Sequence, residues 1–125
     1  MKSPLFIALL LSCAVTMKTY AENSFNIDDT VIKYSVSGYE IQMEFLPENK
    51  LRWTYLNAPN KNEIGKTALE TTDRTDLRTG LILFAWTETK GTHVIDIFDF
   101  NDNKVYANFI LPNGERYQSQ SNFSK

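Results

Sequence analysis

Cysteine is almost absent from this chain of 125 residues, and its single occurrence, Cys13, lies in an apolar N-terminal stretch. A disulfide framework and a cysteine metal site are therefore excluded for the rest of the chain. Histidine is equally scarce: His93 is the only one, and no G-x-S-x-G motif surrounds a serine. The sequence thus gives no indication of a serine or cysteine triad, and we interpret His93 as a solvated residue beside a turn.

Runs of positive charge are also missing. Without Lys2 and Lys18, which belong to the N-terminal stretch, 11 basic residues remain against 15 acidic ones, a net charge of −4. This excess of negative charge argues against nucleic acid and against an anionic membrane surface as partners. The acidic residues are spread over both faces of the expected strands, so the sequence predicts neither a metal site nor a cofactor.

Residues 1–21 have the layout of a secretory signal peptide. Lys2 gives a positive start, residues 5–15 are mainly apolar, and Ala21 offers a small residue at the cleavage position. The apolar run is too short for a membrane-spanning helix. We therefore expect residues 22–125 to form an exported domain, periplasmic or secreted. The alternative is a lipoprotein box at residues 10–13, which would anchor the protein in the outer membrane through Cys13.

Alternation of apolar and polar residues is what the sequence has in abundance. A period of two is typical of strands with one buried face. It occurs at residues 39–45, 51–55, 93–100 and 105–111, whereas residues 81–87 are nearly all apolar. Clusters of Asn, Asp, Gly and Pro separate these runs about every twelve residues, which is the spacing of an all-β domain.

Further segments complete the expected architecture. We expect short or weak strands at residues 31–36, 65–72 and 116–121, a charged connection at residues 73–79 and a polar lead-in up to residue 30. The total is seven or eight strands with little helix, since no window shows a helical period. Short turns without a long crossover favour a single up-and-down antiparallel β-barrel over a Greek-key sandwich. The interior of a barrel with about eight strands holds side chains or one small ligand.

The segment WTETKGTHV determines where a glutamate points. A three-residue loop over 89–91, ending on a glycine in the left-handed conformation, places Glu88 opposite Thr92 and on the same face as Trp86. A loop of two or four residues would place it opposite His93, and the two-residue loop would give a lysine a positive φ. We favour the first register. The alternation leaves open whether this face is the inner or the outer one.

Asp96 falls on the Glu88 face in this register. If the face is inward, Asp96 is a polar anchor for a ligand; if outward, it is a surface residue. The two carboxylates lie four residues apart along the strand direction, about 13 Å, which is too far for an acid–base pair. Trp53, Tyr55 and Trp86, together with Phe84, are candidates either for core packing or for the wall of a pocket.

The stretch GLILFAWTETKGTHVIDIFDFNDNKVYANF, with Leu-Arg-Trp at 51–53 before it and Gly65 opening a polar strand, resembles the MoaF-like family. These proteins are small lipocalin-like barrels of the calycin type. The resemblance covers roughly residues 38–109. The W-x-E motif with a glycine three residues later is also similar to phenolic acid decarboxylases, whose barrel is related. The resemblance implies an inward Glu88, which matches a catalytic acid of those enzymes.

The decarboxylases also use two tyrosines of the first strand and an arginine after the second hairpin. This sequence offers Tyr34 for one tyrosine, and Lys66 lies in the segment where the arginine would fall. Lysine does not reproduce the bidentate contact of a guanidinium with a substrate carboxylate. The resemblance therefore implies the barrel more firmly than the reaction.

We therefore expect an exported barrel that holds a small, partly apolar molecule. Trp53 and Trp86 would form the wall, and Tyr34 and Glu88 would be the polar contacts. One alternative is a small enzyme of the decarboxylase type with Glu88 as acid, and the balance is against it. Another is a barrel filled by its own side chains that serves as an interaction module. Whether the domain forms a homodimer stays open.

Overall fold

The computed structural model describes residues 25–125, in which nine antiparallel strands form a nearly closed barrel. The strands are β1 Val31–Val36, β2 Tyr39–Leu46, β3 Lys50–Asn57, β4 Thr67–Thr71, β5 Asp73–Arg78, β6 Leu81–Thr87, β7 His93–Asp99, β8 Lys104–Ile110 and β9 Arg116–Ser124. A 3₁₀ turn at Lys61–Glu63 interrupts the connection between β3 and β4. No helix in the described part of the chain is long and apolar enough to cross a membrane. The predicted signal peptide lies outside the described residues.

The strands follow one another around the barrel in up-and-down order. Each strand pairs with its neighbour in the chain, except that β4 does not pair with β5, and β1 pairs with β9. The order is therefore β4-β3-β2-β1-β9-β8-β7-β6-β5, with the two edges joined only through Thr72. The Thr72 hydroxyl donates a hydrogen bond to the Asn49 carbonyl at 2.5 Å, which fixes this corner to the β2–β3 turn. The prediction of a single antiparallel up-and-down barrel is confirmed.

The strand count of seven or eight was wrong, because Asp73–Arg78 is a strand and not a charged connection. This segment pairs with β6 on one side and is an edge on the other. Most of its side chains stay exposed, so burial imposes no apolar alternation on its sequence. Charged residues on such an edge also oppose pairing with other chains.

The lead-in before β1 is also more ordered than a loose polar segment. Ile27 is 3% exposed, and the Phe25 ring lies 5.6 Å from that of Phe100. Arg74 of β5 donates a hydrogen bond from Nη2 to the Phe25 carbonyl at 2.5 Å and forms an ion pair with Asp76. The lead-in thus covers one end of the barrel.

Phenylalanine side chains fill that end. The rings of Phe45 and Phe98 are 5.0 Å apart and nearly perpendicular, and Phe84 lies 5.4 Å from Phe45. Phe100 and Phe123 extend the group with a further edge-on contact at 5.3 Å. Edge-to-face pairs at these distances add to the free energy gained from burial. We call these five residues the phenylalanine cluster.

Removal of the Phe98 ring should reveal how much the cluster contributes. Phe98 is fully buried, and Phe98→Ala should lower the free energy of unfolding by about 3–5 kcal/mol in urea denaturation, because it leaves a cavity. Leu77→Ala, on the exposed face of the β5 edge, should change it by less than about 0.5 kcal/mol. Equal effects of the two substitutions would contradict a core centred on this cluster.

Candidate functional site

A cavity of about 460 Å³ opens at the end of the barrel opposite the phenylalanine cluster. Seven of the fifteen residues that line it are aromatic, two are the acids Glu88 and Asp96, and none is lysine, arginine or histidine. Small-molecule sites in proteins usually measure about 300–1,000 Å³. Within residues 25–125, no group of three or more His, Cys, Asp and Glu side chains could hold a metal ion.

One side of the cavity is an aromatic row from β2 and β3. The rings of Tyr39 and Tyr55 are 4.7 Å apart, and those of Trp53 and Tyr55 are 4.8 Å apart. Trp53 Nε1 donates to Glu70 at 2.8 Å, and the Tyr39 hydroxyl donates to Glu63 at 2.9 Å. These two hydrogen bonds hold the outer rings of the row in place. The wall is therefore formed before any ligand arrives.

Glu88 reaches the cavity from the β6–β7 hairpin. Its backbone N–H donates to the Thr92 carbonyl at 2.8 Å, and the Gly91 N–H donates to the Glu88 carbonyl at 2.8 Å. Gly91 has a φ of +94°, which favours glycine. The predicted three-residue loop and its register are confirmed, with Trp86 opposite Val94.

The surroundings of Glu88 favour its neutral form. Burial raises the pKa of its carboxyl group, and the negative charge of Glu70 on β4 raises it further. The indole N–H of Trp86 partly offsets both effects. Glu88 is half-buried and lines the cavity, as the resemblance implied. Such a group keeps its proton to a higher pH than an exposed glutamate does.

Asp96 lies deeper, on β7, and faces inward. Its side chain is 1% exposed, and burial raises its pKa to about 8. A backbone hydrogen bond from Asn108, at 3.4 Å, lowers the pKa, and the charge of Glu88 raises it. At neutral pH most of Asp96 is therefore protonated, and its hydroxyl can donate a hydrogen bond.

The tyrosines of the cavity keep their protons. Tyr34 is 4% exposed, and burial, followed by the charge of Asp96, raises its pKa well above the ordinary value. Burial and then the charge of Glu88 raise the pKa of Tyr55 to about 12. Both hydroxyls are therefore neutral at physiological pH and can donate or accept hydrogen bonds.

Trp86 contributes a donor without a partner. The residue is 7% exposed, and its Nε1 is one of two buried side-chain polar atoms within residues 25–125 that lack a hydrogen bond. Although this N–H lies near enough to influence the charge of Glu88, it does not reach hydrogen-bond geometry with it. A buried donor left unpaired costs about 1–3 kcal/mol. A ligand acceptor in the cavity would remove that cost.

The four side chains proposed from the sequence meet in this cavity: Tyr34, Trp53, Trp86 and Glu88. Sequence reasoning missed Tyr39, although it continues the alternation of residues 41–45. It also missed Glu70, because the polar strand β4 shows no apolar face to indicate which side chains point inward. Phe84 belongs to the phenylalanine cluster and does not line the cavity.

Nine antiparallel strands in up-and-down order, with a cavity at one end, define a lipocalin-like β-barrel protein. Residues 29–124 match the MoaF-like family, and the chain belongs to it. The fold is similar to a crystal structure from Burkholderia vietnamiensis described as a candidate beta-lactamase, with a TM-score of 0.71 and 13% identity over 82% of this chain and 97% of that one. At this identity the likeness shows the fold alone. No curated protein matches the chain.

The raised pKa of Asp96 predicts how stability varies with pH. The folded state keeps a proton up to a pKa of about 8, whereas the unfolded state releases it near 4. The wild-type protein should therefore lose stability as pH rises from about 4 to about 8. Asp96→Asn removes this titration, so the variant should gain stability relative to wild type by a few kcal/mol between pH 5 and 9.

Urea denaturation at several pH values measures this difference. Asp102→Asn, in the exposed turn after β7, is the matched control and should follow the wild-type pH profile. Parallel pH profiles for wild type and Asp96→Asn would mean that Asp96 does not titrate near 8.

Proposed function

We propose that the protein is an exported binding protein that holds one small, partly apolar molecule in its barrel. The observation that carries this proposal is the unpaired, buried Nε1 of Trp86 in the wall of a 460 Å³ cavity. Buried polar groups in proteins almost always have partners. An unpaired donor at the edge of an apolar cavity therefore suits a ligand that brings an acceptor.

The rigidity of the wall supports the same proposal. Hydrogen bonds hold Trp53 to Glu70 and Tyr39 to Glu63, so these side chains lose little freedom when a ligand binds. A site ordered in advance avoids much of the entropic cost of binding. The alternative of a barrel filled by its own side chains has less support, because the phenylalanine cluster fills one end only.

The enzyme alternative also has less support. A phenolic acid would bring a carboxylate into a cavity that contains Glu88 and Asp96 and that no basic side chain lines. Lys66 is exposed and is not among the lining residues. Carboxylates placed together repel one another unless one of them takes up a proton. We therefore favour binding over decarboxylation.

Export is proposed from residues 1–21 alone. Cleavage after Ala21 would release the domain, and lipidation at Cys13 would hold it at the outer membrane. The intact mass of the mature protein from cells should match a chain beginning at Glu22. A mass increased by acyl chains, or incorporation of labelled palmitate, would support the lipoprotein form. A retained Met1 would contradict export.

Binding can be followed through intrinsic fluorescence. The chain has two tryptophans, and both line the cavity, so a bound molecule should change their emission. Titration with a panel of small aromatic and aliphatic compounds should give saturable changes for some of them. For these, Tyr34→Phe should weaken binding about 3- to 10-fold if the lost hydroxyl is a ligand contact.

Tyr106→Phe removes a hydroxyl on the outer face of β8 and should leave the affinity unchanged. A flat response across aromatic, lipid and nucleotide probes would favour the filled barrel. Turnover of a phenolic acid that is lost in a folded Glu88→Gln variant would favour the enzyme. Native mass spectrometry of the purified protein would give the mass of a retained ligand directly.

A further inference from the structure

We propose that the ligand is an organic cation, in which an amine or quaternary ammonium group is attached to an apolar body. This inference deepens the proposed binding function and depends on it. Three features of the cavity support it: the sign of its charges, the nature of its wall and the lack of partners for its polar groups.

The ionisable side chains in and around the cavity are acids or phenols, so any charge they carry is negative. Glu88 and Asp96 line it, and Glu70 and Glu63 lie directly behind the wall, bonded to Trp53 and Tyr39. No lysine, arginine or histidine is among the lining residues. The ion pairs formed within residues 25–125 are Arg52–Glu44 and Arg74–Asp76, so they involve none of these four acids.

The wall suits an organic cation better than a metal ion. Aromatic rings attract cations through the negative charge of their faces, most strongly when water is excluded. The cavity combines the row of Tyr39, Tyr55 and Trp53 with two carboxyl groups. A metal ion would need several converging ligands, and no group of three or more His, Cys, Asp and Glu side chains within residues 25–125 could hold one. An ammonium group needs only charge and aromatic surface.

The polar groups of the cavity have few partners of their own. Asp96, 1% exposed, receives one long hydrogen bond of 3.4 Å from the Asn108 backbone. The Nε1–H of Trp86, in a side chain that is 7% exposed, donates none. Ionising a carboxyl group in such a buried position without a counter-charge is unfavourable. A cation would supply that charge, and an acceptor atom beside it, from the ligand or from water, would pair with Trp86.

The proposal predicts a dependence on pH. A bound cation favours the ionised form of Glu88, whose pKa is raised by burial and by the charge of Glu70. Cation affinity should therefore fall as pH drops and Glu88 becomes protonated. The titratable groups that interact with Glu88 are all acids or phenols from the surrounding strands, namely Glu70, Asp96, Tyr34 and Tyr55. None of them would reverse this trend, because each becomes less negative, or stays neutral, as pH falls.

Three probes of similar size separate charge from shape: phenethylamine, 2-phenylethanol and phenylacetate. Calorimetric titration of the full mature chain at pH 7.5 should show the amine binding about tenfold more tightly than the alcohol, and the carboxylate most weakly. Benzyltrimethylammonium, whose charge does not titrate, should bind progressively more weakly as the pH is lowered from 7.5.

Glu88→Gln should reduce the preference for the amine over the alcohol at least about threefold. Glu40→Gln changes the net charge equally but lies on the exposed outer face of β2, and it should keep the wild-type preference. Circular dichroism establishes that each variant is folded. If Glu88→Gln does not fold, the pH series of wild type with benzyltrimethylammonium decides instead, and an affinity that does not fall as the pH is lowered overturns the proposal.

The outcomes distinguish the proposal of a cationic ligand from the proposal that the barrel binds a small molecule. Equal binding of amine and alcohol, or tightest binding of phenylacetate, would overturn the cation while leaving the binding function intact. Absence of binding by all probes and by the wider fluorescence panel would overturn both.

Discussion

Gly91, with a φ of +94°, allows the β6–β7 hairpin to close in three residues, and this closure sets the register of both strands. A slip of one residue would move every side chain of a strand to the other face. In the observed register Phe84 and Trp86 of β6 and Glu88, directly after it, point inward, as do Asp96 and Phe98 of β7. Which side chains of β6 and β7 point into the two ends of the barrel therefore depends on the register that this one turn sets.

The two ends use these inward positions differently. At one end, apolar rings exclude water and stabilise the fold. At the other, Asp96 is buried without a basic partner, and its pKa of about 8 expresses how strongly the fold resists its ionisation. Phenylalanine in place of Glu88 and Asp96 would fill the cavity with apolar rings. No buried carboxyl group would then resist ionisation. Retention of a destabilising polar group inside a stable scaffold is common at functional sites, where activity and stability conflict.

Much of this arrangement could be predicted from alternation, because a half-buried strand must send every second residue inward. The strands around Met43 and Phe109 and the turn at Gly91 follow from that rule. The edge strand Asp73–Arg78 does not, since exposure leaves its composition free. The inward direction of Glu88 did not follow either: both faces of residues 81–87 are apolar, and only the closed barrel distinguishes them. The inward direction of Glu88 was predicted from the family resemblance instead.

Membership of the MoaF-like family implies the barrel fold, but proteins that share a barrel need not bind the same ligand. An inward glutamate can belong to a site that binds an anionic substrate through an arginine, or to a site that attracts a cation. The presence or absence of basic groups around the glutamate determines whether the site favours an anion or a cation. Here the cavity contains Glu88 and Asp96, with Glu70 behind the wall, and no basic side chain lines it. An anion entering this cavity would meet no basic side chain and would make both acids still harder to ionise, whereas a cation would make their ionisation easier.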